Sequence, residues 1–127
     1  MKMALDDSSG RYTVRSYSAG EVQIREQRYT RSLIVLPGRV LPDWEPGHPE
    51  ELRGSHLRPI IDHGPEVLIL GTGERQVFPE PALFAELMAR GIGFEVMDNA
   101  AACRTYNILV AEGRAAALAL MLTNPPA

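Results

Sequence analysis

The sequence predicts an α/β domain whose second half is Rossmann-like, and three observations support this fold class. The segment Glu66-Val-Leu-Ile-Leu70 carries a continuous apolar run, as strands buried on both faces of a parallel sheet do. Helical and strand-like patterns then alternate as far as residue 122. Such alternation calls for right-handed crossovers and places the three strands of this half in one sheet.

The first part of the chain, about residues 11–37, predicts a small antiparallel β meander. Residues 12–17 alternate in the manner of a strand and are followed by the turn Ser18-Ala-Gly20. Residues 21–25 and 29–36 carry two further strand patterns, and the last of them ends in the apolar run Leu33-Ile-Val-Leu36.

About residues 37–65 form a proline-rich connection, which interrupts regular elements. One helix still fits there. Pro49 suits its first turn, and four apolar residues offer core contacts. These are Leu52, Leu57, Ile60 and Ile61.

Residues 66–122 predict a βαβαβ unit. After the first strand, Leu83, Phe84, Leu87 and Met88 recur at helical spacing, and Gly91 suits a helix C-cap. Residues 93–97 read as a strand. Either Asp98 or Asn99 can cap the helix that follows, which runs to about Glu112 and stops at Gly113. Residues 115–122 have the alanine content of a helix but are too short after Gly113 to be judged on propensity alone, and they are predicted to form the last strand.

The composition indicates a single domain that spans residues 1–127, and it bears on which partners are expected. The chain has 127 residues, 45% of them hydrophobic, and a net charge of -3. Without a basic field to neutralise phosphates, a nucleic-acid partner is not expected. No apolar stretch is long enough to cross a bilayer. The alanine-rich residues 115–119 are also compatible with pairing across a dimer edge.

The single Cys103 excludes an intramolecular disulfide and a cysteine-based zinc site. Residues 1–10 resemble neither a signal peptide nor a mitochondrial presequence. A cytoplasmic, prokaryotic protein is therefore expected.

The glycine turn Gly71-Thr-Gly73 is the first candidate ligand-binding feature. It follows a predicted strand, where exposed backbone amides can cradle an anion. It lacks the third glycine of a dinucleotide-binding motif and the lysine of a P-loop. The alternative is a purely structural turn. Ligands of such sheets bind beyond the carboxyl ends of the strands, so residues 71–74 and 98–102 should open onto one rim.

The helix after residue 98 is the second candidate, because free amides and the positive end of the helix dipole gather in its first turns. Five of its side chains are candidates for binding a small anion: Asn99, Cys103, Arg104, Thr105 and Asn107. In the alternative interpretation, Cys103 and Thr105 pack inward and Arg104 is solvated.

Cys103 also has the position of an activated thiol, but no motif places His48, His56 or His63 beside it. The histidine spacings match no metal-ligand pattern. The sequence therefore indicates no catalytic set, no metal and no cofactor.

Trp44, within the proline-rich connection, is a candidate partner-binding residue. The alternative is that this large side chain forms a lid over the core.

Several motifs together resemble the Mth-type domain family: Leu70-Gly-Thr-Gly-Glu-Arg75, Arg90-Gly-Ile-Gly93, Asn99-Ala-Ala-Ala-Cys-Arg-Thr-Tyr-Asn107 and Glu112-Gly-Arg114. The resemblance is strongest over residues 67–122 and closest to a small proteobacterial branch. It implies a three-layer fold, in which a mixed central sheet flanked by helices joins an antiparallel N-terminal part. It also implies a shallow pocket near the glycine turn and Thr105 and Asn107. Cys103 and Arg104 depart from the family pattern.

The family includes a mitochondrial complex I assembly factor and an adipogenesis-associated protein, and it implies no established reaction. The leading hypothesis is a non-catalytic binding or assembly domain with an unknown protein partner. It uses the rim formed by residues 71–74 and 98–107, with the Trp44 segment as a possible addition. The alternative is an enzyme or carrier for a small anionic metabolite, held by the glycine turn and the helix that starts near Asn99.

Overall fold

The computed structural model describes residues 10–123, which form two β-sheets and three α-helices. The strands are β1 (Ser16–Ser18), β2 (Glu21–Ile24), β3 (Gln27–Tyr29), β4 (Leu33–Leu36), β5 (Arg39–Leu41), β6 (Val67–Gly71), β7 (Gly93–Met97) and β8 (Ala116–Leu120). The helices are α1 (Arg58–His63), α2 (Ala85–Ala89) and α3 (Asn99–Ala111). Short 3-10 turns lie at Pro49–Glu51, Gly54–Leu57 and Pro81–Phe84.

The central sheet is mixed and has five strands in the order β5-β4-β8-β6-β7. Strand β6 runs parallel to both β7 and β8, so the three strands of the βαβαβ unit share one sheet. Strand β4 pairs antiparallel with β8 and with β5. The smaller sheet contains β1, β2 and β3, all antiparallel. This architecture confirms the predicted α/β fold class.

Alternating side chains of the central strands build a hydrophobic core on each face of the sheet. Leu68 and Leu70 of β6 point into the core that contains the apolar residues of α1 and α2. Ile69 points to the opposite face, where Tyr106 and Val110 of α3 and the small sheet pack. The period of two along each strand therefore produces the three layers.

Strand β4 differs from its predicted place in the N-terminal meander, because it belongs to the central sheet. All four of its residues are buried. A strand of a small exposed meander has one solvated face, whereas a continuous apolar run needs cover on both faces. The strand predicted over residues 12–17 is also shorter in the structure, since β1 begins at Ser16.

The proline-rich connection also differs from its prediction as one helix starting at Pro49. Two 3-10 turns precede α1, and the chain is extended at Leu52 between the first turn and the second. Pro59 lies in the first turn of α1 and does not end it, because the first-turn N–H needs no helical acceptor. All four apolar residues assigned to core contacts are buried.

The remaining elements follow the sequence closely. Asp98 caps α3 by accepting a hydrogen bond from the Ala101 amide at 2.9 Å. Gly113 follows α3 with a φ of 81°, which glycine adopts without strain. Within residues 10–123, no helix has the length and apolar character needed to cross a membrane. The interpretation of the first nine residues as lacking a leader lies outside the described part of the chain.

Candidate functional site

The carboxyl ends of β6 and β7 meet at one rim of the central sheet and are hydrogen-bonded to each other. The Thr72 amide donates to the Met97 carbonyl at 3.0 Å, and the Asn99 amide donates to the Gly73 carbonyl at 2.8 Å. The Gly73 amide donates to Asn99 Oδ1 at 3.0 Å. The structure thus brings together the glycine turn and the start of α3.

The Asn99 side chain organises this rim. It is 1% exposed, and its Nδ2 donates to the Met121 carbonyl at 3.0 Å and to Tyr17 Oη at 3.2 Å. With Gly73 it therefore links the ends of β6 and β8 to β1. The Asn99 carboxamide uses its oxygen and its nitrogen in hydrogen bonds within the protein, so it has little hydrogen-bonding capacity left for a ligand.

Gly71 allows this close approach of strand and helix. A Cβ at Gly71 would collide with Asn99 Oδ1 and would lie 2.7 Å from Leu120 Cδ2. Only glycine therefore fits beside the Asn99 carboxamide.

The loop after Gly73 is held by its own side chains. Thr72 Oγ1 accepts a hydrogen bond from the Val77 amide at 3.0 Å and lies 2.7 Å from the Arg75 carbonyl, to which it donates. Gln76 Nε2 donates to the Val96 carbonyl at 2.8 Å. The next two side chains point outward, with Val77 41% and Phe78 70% exposed. The loop after Gly73 is therefore held in place by hydrogen bonds and presents the apolar side chains of Val77 and Phe78 beside β7.

Tyr17 connects the small sheet to the same rim by donating a hydrogen bond to the Glu74 carboxylate. Burial, followed by the hydrogen bond to Glu74, raises the pKa of the Tyr17 phenol to about 12. The phenol is therefore a protonated donor at neutral pH.

A cleft of about 400 Å³ lies over this rim. Thr72, Gly73 and Asn99, three of the candidate ligand-binding residues, line it. His48, Glu50 and Arg75 line it too, although sequence analysis did not select them for this site. The signal for His48 and Glu50 was weak, because only the tertiary fold brings the Pro49 turn against the glycine turn, whereas Arg75 closely follows that turn in the chain.

The other candidates on α3 face a different part of the molecule. Cys103, Arg104 and Asn107 line a smaller cavity of about 220 Å³ beside β1. Asn107 uses both ends of its amide on Val14, accepting from its amide at 2.9 Å and donating to its carbonyl at 2.8 Å. Thr105 Oγ1 lies 3.3 Å from Met97 Sδ. The predicted set is thus divided between two places.

Cys103 is 4% exposed, and burial raises the pKa of its thiol to about 12, against a smaller lowering by Arg104. The thiol is protonated at neutral pH, which makes it a poor nucleophile. Among residues 10–123, no group of three His, Cys, Asp or Glu side chains is arranged to hold a metal ion.

Trp44 is a core residue and not an exposed apolar spot. It is 8% exposed, and its Nε1 donates to the His56 carbonyl at 3.0 Å. The indole belongs to the hydrophobic core cluster that also contains Ile60 and Ile61 of α1.

Comparisons with known proteins agree with this fold. A family described as a protein of unknown function (DUF498/DUF598) matches residues 14–121. The chain is 34% identical over 123 residues to a Danio rerio protein named NADH dehydrogenase (ubiquinone) 1 alpha subcomplex assembly factor 3, covering 95% of this chain and 69% of that protein. It is 30% identical over 101 residues to a Francisella tularensis protein named 13 kDa major membrane protein, covering 79% of this chain and 82% of that one.

A solution structure from Bordetella pertussis, described as a Mth938-like domain, superimposes with a TM-score of 0.81. It shares 31% sequence identity, and the match covers 96% of this chain and 92% of that one. The resemblance inferred from the sequence motifs is thereby confirmed. The chain belongs to the DUF498/DUF598 family of proteins of unknown function, with the fold of an Mth-type domain.

Proposed function

We propose that this chain is a non-catalytic protein-binding domain of the assembly-factor kind, and that it binds its partner at the rim beyond β6 and β7. The observation that carries this proposal is the Val77-Phe78 pair. Burying apolar surface is the main driving force of protein association, and Phe78 is 70% exposed. Because hydrogen bonds of Thr72 and Gln76 hold the loop in place, binding costs little conformational entropy.

The chemistry of the rim supports binding over catalysis. Asn99 and Thr72 spend their polar atoms on internal hydrogen bonds. A catalytic thiol needs a lowered pKa and a nearby base, whereas burial raises the pKa of Cys103.

The relatives also support a role with protein partners. The Danio rerio protein is named as an assembly factor, and such a factor acts on other polypeptides. We extend the general role of binding other polypeptides to the present chain, but not the particular complex named for the Danio rerio protein. A cytoplasmic location fits a domain whose single cysteine is a free thiol.

The test is a capture experiment with two matched surface variants. Phe78→Ser removes the exposed ring at the rim, while Ile108→Ser changes another exposed apolar residue, 58% exposed, on α3. A protein that co-purifies with the wild-type chain and with Ile108→Ser should be lost with Phe78→Ser. A partner retained equally by both variants would contradict the rim as the binding surface.

A small anionic ligand in the 400 Å³ cleft is the second candidate function. Arg75 favours it, because this exposed side chain lines the cleft and forms no ion pair with any of residues 10–123. The test is a thermal-shift screen against phosphorylated metabolites and small carboxylates. A hit should disappear in Arg75→Ala and persist in Arg39→Ala, which removes an exposed arginine outside the cleft. A screen without hits, or a hit indifferent to Arg75, would eliminate this candidate.

A further inference from the structure

The central sheet has two outer strands that differ in their capacity to accept another strand. Strand β5 has three residues and is followed directly by Pro42, which has no N–H to donate. Strand β7 has five residues and pairs with no strand other than β6 among the described residues. An edge that is long and unprotected is a template for strand addition. Of the two edges, β7 is the receptive one.

The outward backbone groups of β7 can be identified from its ladder with β6. The Gly93 amide donates to Glu66, and the Met97 carbonyl accepts from Thr72, so Gly93, Glu95 and Met97 direct their backbone groups inward. Phe94 and Val96 therefore direct theirs outward. Within residues 10–123, the only outward group with a partner is the Val96 carbonyl, which accepts from Gln76.

The loop that presents Val77 and Phe78 is attached to this edge. Gln76 binds the Val96 carbonyl at 2.8 Å, so the two exposed apolar residues directly follow a residue in contact with β7. A strand added to β7 would run beside this apolar surface.

Glu95 determines which strand fits. Its register partner Ile69 belongs to the core on the α3 face, so the Glu95 side chain lies on that face at the open edge. It is exposed and forms no ion pair with any described residue. In an antiparallel addition its position would be a non-hydrogen-bonded pair, the closer kind, in which opposite charges attract and like charges repel.

A second copy of the chain fits poorly by this criterion. Antiparallel pairing of two β7 strands in full register would place one Glu95 directly opposite the other. An extended segment with lysine or arginine at the central position would instead neutralise the carboxylate.

We propose that the β7 edge binds an extended segment of a partner protein by strand addition, with a basic residue opposite Glu95. This inference rests on the proposed function and specifies how the partner is recognised. The Phe94 amide and carbonyl and the Val96 amide supply the hydrogen bonds, since the Val96 carbonyl already accepts from Gln76, and Glu95 supplies charge selectivity.

The test uses two synthetic nine-residue peptides in which valine alternates with threonine around a central lysine or a central glutamate. Each is titrated into the isotope-labelled protein, and amide chemical shifts are followed. The lysine peptide should shift the Phe94 and Val96 amides and bind the wild-type protein about twofold to fivefold more tightly than the glutamate peptide. The exposed substitution Glu95→Lys should reverse that preference.

Absence of binding, shifts confined to other strands, or a preference that survives Glu95→Lys would each overturn the strand-addition proposal. The capture experiment with Phe78→Ser separates this failure from failure of the proposed function. A captured partner that is lost with Phe78→Ser, combined with no peptide preference, leaves rim binding intact and removes strand addition. If the captured partner is retained by Phe78→Ser and the peptide preference reverses as expected, strand addition at β7 is supported and rim binding through Phe78 is removed.

Discussion

Removing the Asn99 carboxamide should loosen the rim and destabilise the whole domain. Asn99→Ala deletes three hydrogen bonds, those with the Gly73 amide, the Met121 carbonyl and Tyr17. A hydrogen bond contributes about 0.5–1.5 kcal/mol net, and a buried group left unpaired costs about 1–3 kcal/mol. We expect the free energy of unfolding to fall by about 2–4 kcal/mol on these contributions.

The assay is urea unfolding followed by circular dichroism, with Asp98→Ala as the control. Asp98 is the adjacent residue and caps the same helix, so its loss should cost about 1 kcal/mol. Hydrogen exchange at the Gly73 amide should also accelerate in Asn99→Ala. If Asn99→Ala cost no more than Asp98→Ala, or left the Gly73 amide protected, the assignment of Asn99 as the organising residue would be refuted.

Three further predictions concern the close approach at Gly71 and the two α3 residues Cys103 and Asn107. Gly71→Ala should prevent folding or strongly lower the melting temperature. Gly93→Ala is the control and should change the melting temperature little, because its added Cβ meets neighbours at 3.8 Å. Equal melting temperatures of the two variants would contradict the close approach at Gly71. Between the ordinary thiol pKa of 9.0 and the raised value of about 12, folded Cys103 keeps a proton that the unfolded chain has lost, so stability falls as pH rises. Urea unfolding at several pH values should show wild type losing up to about 1.4 kcal/mol per pH unit relative to Cys103→Ala, and parallel curves would refute the raised pKa. Asn107→Ala should accelerate hydrogen exchange at the Val14 amide while leaving Gly73 protected, and unchanged exchange at Val14 would show that this pairing does not hold the N-terminal segment.

Local patterns predicted most of the second half correctly. The apolar run of β6, the helix stop near Gly91 and the cap at Asp98 are encoded within a few neighbouring residues. The assignment of β4 to the meander was wrong. A short apolar run indicates that the strand is buried on both faces, but it does not indicate to which sheet the strand belongs.

Sequence analysis grouped the glycine turn with the start of α3, but it did not resolve which side chains of α3 face the same rim. The sequence placed the glycine turn and Asn99 on one rim, and the structure brings them together. It also grouped Cys103 and Asn107 with them, because helical spacing puts these residues on neighbouring faces. The direction of each face relative to the small sheet depends on packing, and α3 turns both residues toward β1.

By itself the sequence determined the order of strands and helices in the Rossmann-like half, the rim at which its loops meet, and the family. Those features depend on local periodicity, turn residues and the handedness of crossovers. Only the tertiary structure decided which polar groups remain available for a partner. Asn107 reaches Val14 across 93 positions of the chain, and Asn99 reaches Tyr17 across 82. Pairings at such separations arise from the packing of whole layers, which no local pattern records.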